Sequence, residues 1–291
     1  MWLADRWEDY GVLDASKGEK LERWGNFRLR RPDPQAIWTE RAEPRLWNTT
    51  DGIYHRSSRG GGSWDFAKKL PDSWEIGYAP LSLKFTVRPT GFKHTGLFPE
   101  QAVNWEWFYS LIKGAERPVS VLNLIAYTGG ATAAAAAAGA SVTHIDSSKG
   151  MVGWAKDNLA LSGLSERPVR FLVDDVNKFV DREIRRGRRY DGIIMDPPSY
   201  GRGPDGELWK IEDELYPLVK KCMSIMSDTP LFFLINSYTT GLAPTVLDNI
   251  LRLTAVKSFG GSSLADEIGL PIGKTELILP CGASGRWQSN I

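Results

Sequence analysis

The chain has 291 residues, 42% of them hydrophobic and 24% charged, with a net charge of +1. That length accommodates one large domain plus a small one, and the near-neutral charge supplies no global field to draw in nucleic acid, so any such surface must be a local patch. Two cysteines, Cys222 and Cys281, cannot build a disulfide framework. No run reaches the roughly 20 apolar residues that span a bilayer. The start, Met1-Trp2-Leu3-Ala4-Asp5-Arg6, lacks the apolar core of a secretory leader. The expectation is a cytoplasmic protein that does not engage membranes.

Residues 1–92 differ from the rest. They carry Trp2, Trp7, Trp24, Trp38, Trp47, Trp64 and Trp74, more than half of the 12 tryptophans, interrupted often by glycine, proline and charge. Short alternating pieces, Phe27-Arg28-Leu29 and the run from Leu81 to Val87, predict a small β-rich domain. Arg59-Gly60-Gly61-Gly62-Ser63 reads as a loop or hairpin tip. These tryptophans, with Arg28, Arg30, Arg31, Arg41 and Arg45, fit two roles. One is substrate recognition, with rings stacking on unpaired bases and arginines meeting phosphates. The other is a packed core with solvated arginines.

Residues 93–291 form the second domain. A connecting loop from Gly91 to Gln101 includes His94, the one histidine that stands near a site-forming segment. A helix then runs to Lys113, with Gly114 at its end. From there strand and helix alternate. Strand Val119–Leu124 leads through Thr128-Gly129-Gly130 into an alanine helix, Ala131–Ala138. Strand Ser141–Ile145 ends at Asp146, and helix Lys149–Ser162 follows. Strand Val169–Val173 ends at Asp174-Asp175, followed by helix Asn177–Arg186. Strand Asp191–Met195 ends at Asp196-Pro197-Pro198, followed by helix Glu212–Met226, which contains Pro217. Strand Leu231–Ile235 and helix Pro244–Leu253 complete the alternation. Ala255–Ser263 and Thr275–Leu279 read as two closing strands without a helix between them. The fold class is α/β, a mostly parallel doubly wound sheet with an antiparallel C-terminal hairpin. Arg182, Arg185, Arg186, Arg188 and Arg189 read as cations at a helix C-terminus. His55, His94 and His144 fit no metal spacing, and no metal is predicted.

In an open α/β sheet the ligand sits beyond the carboxyl ends of the strands. Three of the four strand ends there are acidic. Asp146 lies where a ribose offers its hydroxyls, and Asp175, beside Asp174, lies where an adenine amine would be. The competing role for these aspartates is to cap the helices that follow. The first loop, Ile125-Ala126-Tyr127-Thr128-Gly129-Gly130, lacks the G-x-G-x-x-G spacing of a pyrophosphate site. Its glycines are read as allowing a ligand to approach the backbone. With the polar Asn123 and Thr128 beside them, the loop suits a phosphate-free ligand, S-adenosylmethionine. At Asp196-Pro197-Pro198-Ser199-Tyr200 the prolines fix φ and remove backbone donors. The carbonyls of Asp196 and Pro197 are then free to orient an amine, and Tyr200 can stack on a planar substrate. A rigid turn with a capping aspartate is the competing reading.

With these residues in place the chain resembles the class I S-adenosylmethionine-dependent methyltransferases. It is similar in particular to the bacterial 23S ribosomal-RNA methyltransferase group acting on cytosine C5 and guanine. The similarity runs from about Thr95 to Leu279. It is carried by Thr95-Gly96-Leu97-Phe98-Pro99-Glu100-Gln101, Asn123 to Gly130, Asp146-Ser147-Ser148, Asn158, Asp174-Asp175-Val176 and Asp196-Pro197-Pro198. The resemblance implies that Tyr127, Thr128 and Gly129 line the methionine end of the cofactor. Asp146 and Ser147 would hold the ribose, and Asp174 and Asp175 would face the adenine. Phe98 and Gln101 would cover the cofactor. Asp196, Pro197 and Tyr200 would face the substrate as catalytic residues. The cytosine-C5 members place a nucleophilic cysteine after the fifth strand, where this chain has Ile235-Asn236-Ser237-Tyr238. The expected reaction is therefore direct transfer to a nitrogen of a nucleic-acid base, most naturally in ribosomal RNA. Methylation of a protein amide or a small molecule, a non-catalytic RNA-binding scaffold, and a nicotinamide-dependent oxidoreductase remain as alternatives.

Overall fold

The computed structural model describes residues 1–57, 61–202 and 208–290. The chain divides into two compact units. One holds residues 2–102 and 269–281, the other Met1, 103–268 and 282–291. The expected boundary at residue 92 falls inside the first of these, which also draws in a late segment that no local pattern assigns to it.

The first unit is β-rich. After β1 (Trp2–Leu3) come β2 (Tyr10–Ser16), β3 (Glu19–Trp24), β4 (Phe27–Pro32), β5 (Gly52–Arg56) and β6 (Gly62–Phe66). β2 to β6 form a five-stranded sheet in sequence order, antiparallel except for the β4–β5 pair. A separate hairpin follows, β7 (Trp74–Tyr78) and β8 (Leu83–Val87). Arg59 and Gly60 of the expected glycine tip lie outside the described residues.

The tryptophans of this unit are spent inside it. Trp24 is fully buried and Trp47 nearly so. The Nε1 groups of Trp7, Trp64 and Trp74 donate to the carbonyls of Pro99, Thr90 and Trp24. The arginines also have internal partners. Arg30 makes a two-pronged pair with Glu19, and Arg31 with the buried Glu22. Arg41 lies over the Trp47 ring at 4.0 Å. Arg28 donates to Thr49 Oγ1.

The second unit alternates strand and helix. After α1 (Ala102–Gly114) come β9 (Ser120–Leu124), α2 (Gly130–Ala138), β10 (Ser141–Asp146), α3 (Lys149–Leu161), β11 (Val169–Val173), α4 (Val176–Arg185) and β12 (Gly192–Met195). A small hairpin, β13 (Tyr200–Arg202) and β14 (Leu208–Lys210), precedes α5 (Ile211–Met223), and Pro217 sits within that helix. Then come β15 (Phe232–Ser237), α6 (Pro244–Leu251), a π-helical turn (Arg252–Val256), α7 (Lys257–Phe259), β16 (Ser262–Pro271) and β17 (Ile278–Gln288).

The sheet order is β16-β17-β15-β12-β9-β10-β11. β15, β12, β9, β10 and β11 are parallel, and β17 runs antiparallel to β15. The chain leaves β9 toward β10 on one side, while β12 lies on its other side, so the direction of winding reverses between β9 and β12. That reversal is where α/β sheets open a crevice for a ligand. β12 and β15 are buried along their whole length, as a sheet covered on both faces requires. Ile193 and Phe233 of these strands, with Phe179, Leu218 and Trp287, belong to one continuous core.

The expected strand Ala255–Ser263 is helical over residues 255–259 and extended only from Ser262. Residues 252–259 are helical, and the closing strands lie at Ser262–Pro271 and Ile278–Gln288. Burial decides it: Leu247, Leu251 and Ala255 share one buried helical stripe. Thr254 Oγ1 donates back to Ile250 O at 2.6 Å, satisfied within the helix.

Candidate functional site

The register sets the site. Leu124 pairs with Ile145 on one side and Met195 on the other, and Asp146 pairs with Val173. The strand ends are therefore level, and Asp196, the loop after Leu124, Asp146 and Asp174-Asp175 stand in a row along one edge of the sheet.

The loop after β9 is wound tightly. Ile125 and Tyr127 adopt φ of 57° and 51°, and Gly129 82°. A left-handed φ at a β-branched isoleucine is strained and persists only where surroundings enforce it. The enforcing contacts are visible. Ala126 N donates to Ile145 O (2.9 Å), Tyr127 N to Asp146 Oδ2 (2.8 Å) and Gly129 N to Ala126 O (3.1 Å). From below, Asn158 of α3 donates to Thr128 O at 2.8 Å.

The glycine pair answers a packing need. A Cβ on Gly129 would lie 2.8 Å from Ala155 Cβ, and one on Gly130 2.7 Å from Trp105 Cζ2.

Asp146 is 7% exposed. Its Oδ2 accepts Tyr127 N and its Oδ1 accepts Ser148 N, both at 2.8 Å. A carboxylate oxygen has two lone pairs, so each retains one for an outside donor. Burial raises its pKa above the usual carboxylate value, opposed by these two amides. Ser147 beside it is exposed, and Ser148 Oγ caps α3 through Met151 N.

Other expected contacts are differently employed. Asn123 is 2% exposed and turned inward; its Nδ2 donates to Thr132 Oγ1 at 2.9 Å, which in turn meets His144 Nδ1 at 2.9 Å. Desolvation pulls His144 down to about 4, so this interior chain is uncharged at neutral pH. Thr128 is buried. Asp175 caps α4 by accepting Lys178 N at 2.9 Å, and Asp174 pairs with Arg182. Phe98 and Gln101 belong to the other unit. There Phe98 precedes the 3-10 turn Pro99–Gln101, its ring 5.1 Å from that of His94, and Gln101 is buried.

Asp196 follows β12 half-buried, Pro197 is buried, and Tyr200 is 56% exposed. The turn has two supports with no signature in the sequence. Trp209 Nε1 donates to Pro198 O at 2.7 Å, and Ser199 Oγ shares a hydrogen bond with Thr239 Oγ1 at 2.6 Å. Trp209 comes from β14, 11 residues along the chain, and Thr239 from the segment after β15, 40 residues from Ser199.

Asn236 and Ser237 are buried at the end of β15. Asn236 Oδ1 accepts from Asn104 Nδ2 and Ser284 Oγ, while Arg286 makes a two-pronged contact to Asn104 Oδ1. Burial lowers Arg286 to about 9. Both thiols are protonated: burial pushes Cys222 up, and burial with Glu100 pushes up Cys281. Among the described residues no group of His, Cys, Asp and Glu is placed to hold a metal, and no helix is long and apolar enough to cross a membrane.

Comparison with known proteins gives a consistent result. A family model described as S-adenosylmethionine-dependent methyltransferase matches residues 53–214. A solved S-adenosylmethionine-dependent methyltransferase from Agrobacterium tumefaciens is 36% identical, with a TM-score of 0.92 over 99% of this chain and 92% of its own. A Streptococcus mutans protein described as an S-adenosylmethionine-dependent methyltransferase reaches a TM-score of 0.73 at 18% identity over 97% of this chain and 76% of its own, a likeness of fold. Ribosomal RNA large subunit methyltransferase K/L of Methylococcus capsulatus is 33% identical over 185 residues, 60% of this chain and 24% of that protein. Its counterpart in Shewanella baltica is 38% identical over 154 residues, 53% and 21%. The chain thus spans about a quarter of the length of these curated relatives.

Proposed function

The chain belongs to the S-adenosylmethionine-dependent methyltransferase family, and from that premise we propose that it methylates a nitrogen of an RNA base, with Asp146 as the anchor of the cofactor and Asp196 facing the acceptor. One observation supports the cofactor assignment from the residues alone. The amides of Ala126, Tyr127 and Gly129 are all bonded within the protein, so none of these three is offered to a pyrophosphate. The neighbouring Asp146 keeps acceptor capacity suited to a vicinal diol. That combination fits a ligand made of an adenosine and an amino acid with no phosphate.

The residues then divide the work. Asp146, with Ser147 beside it, holds the ribose hydroxyls. Asp174 and Asp175, one strand further out, face the adenine with whatever acceptor capacity Arg182 and the helix cap leave. Tyr127 and the backbone at Thr128 and Gly129 border the methionine end, while Asn123 acts from beneath by fixing α2 against β10. When bound, the cofactor supplies an electrophilic methyl on its sulfonium. Asp196 and the carbonyls at Asp196 and Pro197 accept N–H bonds of the acceptor and so orient its lone pair. Positioning of this kind is the main catalytic resource for a direct displacement.

Nitrogen is favoured over cytosine C5 because the latter needs covalent activation by a thiolate. Cys222 is fully buried in α5, and Cys281 is held protonated. RNA is favoured because the matched curated relatives are named ribosomal RNA methyltransferases.

The test is to incubate the protein and methyl-labelled S-adenosylmethionine with ribosomal RNA and, separately, with total protein, then digest to nucleosides or amino acids. The expected label is an N-methylated base. Label in protein alone, or on a base carbon, would overturn the assignment.

A further inference from the structure

The β-rich unit carries an exposed aromatic that its own packing does not explain. Phe92 is 65% exposed, next to the exposed Lys93. Its loop is nonetheless held firmly. Gly91 O accepts Gly62 N at 3.1 Å, and Thr90 O accepts Trp64 Nε1 at 2.8 Å. The Thr90 hydroxyl donates to His94 O (2.8 Å) and accepts Phe92 N (3.2 Å), and Arg31 Nη1 donates to Lys93 O at 2.7 Å. Phe92 is thus presented on a fixed loop that is bonded to β6.

β6 carries a second exposed ring. Phe66 is 45% exposed and stacks on Trp64 with centroids 5.9 Å apart and planes 4° from parallel. Two exposed cations stand beside the loop, Lys93 and Arg56. Lys93 is held below the usual lysine value by desolvation and by the cations Lys20, Arg31 and Arg56, with Asp33 opposing. Arg56 is exposed at the end of β5. Glu22 is paired with Arg31 and Asp33 with Lys20, and the exposed Asp65 meets His55 at 3.0 Å, so Lys93 and Arg56 are the exposed cations beside the loop. Solvent-facing rings on a bonded loop and strand, with exposed cations beside them, form a stacking platform for bases with phosphate contacts alongside.

We propose that Phe92, Phe66, Lys93 and Arg56 form a docking surface for single-stranded RNA, with bases stacked on the rings and phosphates on the two cations. This rests on the RNA reading of the function above. It assigns recognition to the solvent-facing ring Phe92 and the half-exposed Phe66 rather than to the buried tryptophans.

The test uses the full chain and a fluorescein-labelled mixed-sequence oligoribonucleotide, read by anisotropy across a salt series. Phe92→Ala is expected to weaken binding about tenfold. The double variant Arg56→Ala with Lys93→Ala should reduce the slope of log K against log salt by roughly 1.4, about 0.7 per phosphate contact. These side chains are exposed, so matching unfolding midpoints and unchanged S-adenosylmethionine titrations confirm that fold and cofactor site are intact. Equal oligonucleotide affinity for wild type and both variants would overturn the surface. So would preferential binding of an acidic peptide over the oligonucleotide. If ribosomal RNA is still N-methylated while the variants bind normally, only this surface fails. If label enters protein alone, the functional reading fails with it.

Discussion

The amide of Tyr127 donates to Asp146 Oδ2 at 2.8 Å across 19 residues of chain. This bond joins the left-handed turn after β9 to the end of β10, so the residue proposed to anchor the cofactor also fixes the loop beside it. Removing the carboxylate therefore has two consequences. In Asp146→Asn one acceptor oxygen must serve where two amides each have one now, and an unsatisfied buried N–H costs about 1–3 kcal/mol. Asp146→Asn and Asp146→Ala should each weaken S-adenosylmethionine binding by tenfold or more on the order of that cost, measured by calorimetry.

The same residue sets a pH dependence. Burial raises the Asp146 pKa, and the ionised form is the one with full acceptor capacity for a diol. Cofactor affinity should fall as pH drops through that raised value, at a higher pH than an exposed aspartate would show. The stability contribution has the opposite sign: it is full below the usual carboxylate pKa and lost as pH rises through the raised one. Titrations of wild type across mildly acidic pH test this, with Asp146→Asn expected to lose the dependence.

Gly129 and Gly130 are constrained by different physics. Gly129 combines a φ of +82° with a Cβ position 2.8 Å from Ala155 Cβ, whereas Gly130 faces only the Trp105 ring at 2.7 Å. Gly129→Ala and Gly130→Ala should each destabilise by about 1–3 kcal/mol in urea unfolding. Adding Ala155→Gly should restore part of the Gly129→Ala loss, and the left-handed penalty of roughly 1 kcal/mol should remain.

In the β-rich unit the stability test is electrostatic. Burial alone would raise Glu22, but Arg31 and Lys20, with hydrogen bonds from Arg31 and Tyr10, lower it to about 2. Its stabilising contribution is present above the ordinary glutamate value of 4.5 and is lost as pH falls toward about 2. Glu22→Gln should flatten the acid limb of a stability profile. It should also destabilise at neutral pH, because Arg31 would be left buried without its anion.

The contrast between what sequence reveals and conceals follows from range. β11 reads to the residue and β9, β10 and β12 nearly so, because each is a short run rich in β-branched and apolar residues, with β10, β11 and β12 closing on aspartates. The site row Asp146, Asp174-Asp175 and Asp196 was legible for the same reason. Partner choice was not. Arg31 and Glu22 are nine residues apart, and nothing local says that this arginine is buried against a glutamate rather than offered to phosphate. The inward turn of Asn123 toward Thr132 and His144 likewise depends on α2 crossing β10. At Ala255–Ser263, helical packing of Leu251 and Ala255 overrode a β-like composition.

Trp209 is the residue of this kind closest to the chemistry. Its Nε1 holds Pro198 O at 2.7 Å, while Ser199 is tied to Thr239 on the other side. The turn after Asp196 is therefore braced from two segments, and the proline carbonyl nearest Tyr200 is occupied by the indole. Trp209→Phe keeps the ring but removes the donor. A net hydrogen bond is worth about 0.5–1.5 kcal/mol, so turnover should fall roughly two- to tenfold with S-adenosylmethionine affinity unchanged. Asp196→Ala should reduce turnover far more, again without weakening the cofactor. Steady-state kinetics on the methyl acceptor alongside cofactor calorimetry separates the two effects. A loss of cofactor affinity in Trp209→Phe would place the indole with the cofactor loop instead of with the acceptor turn.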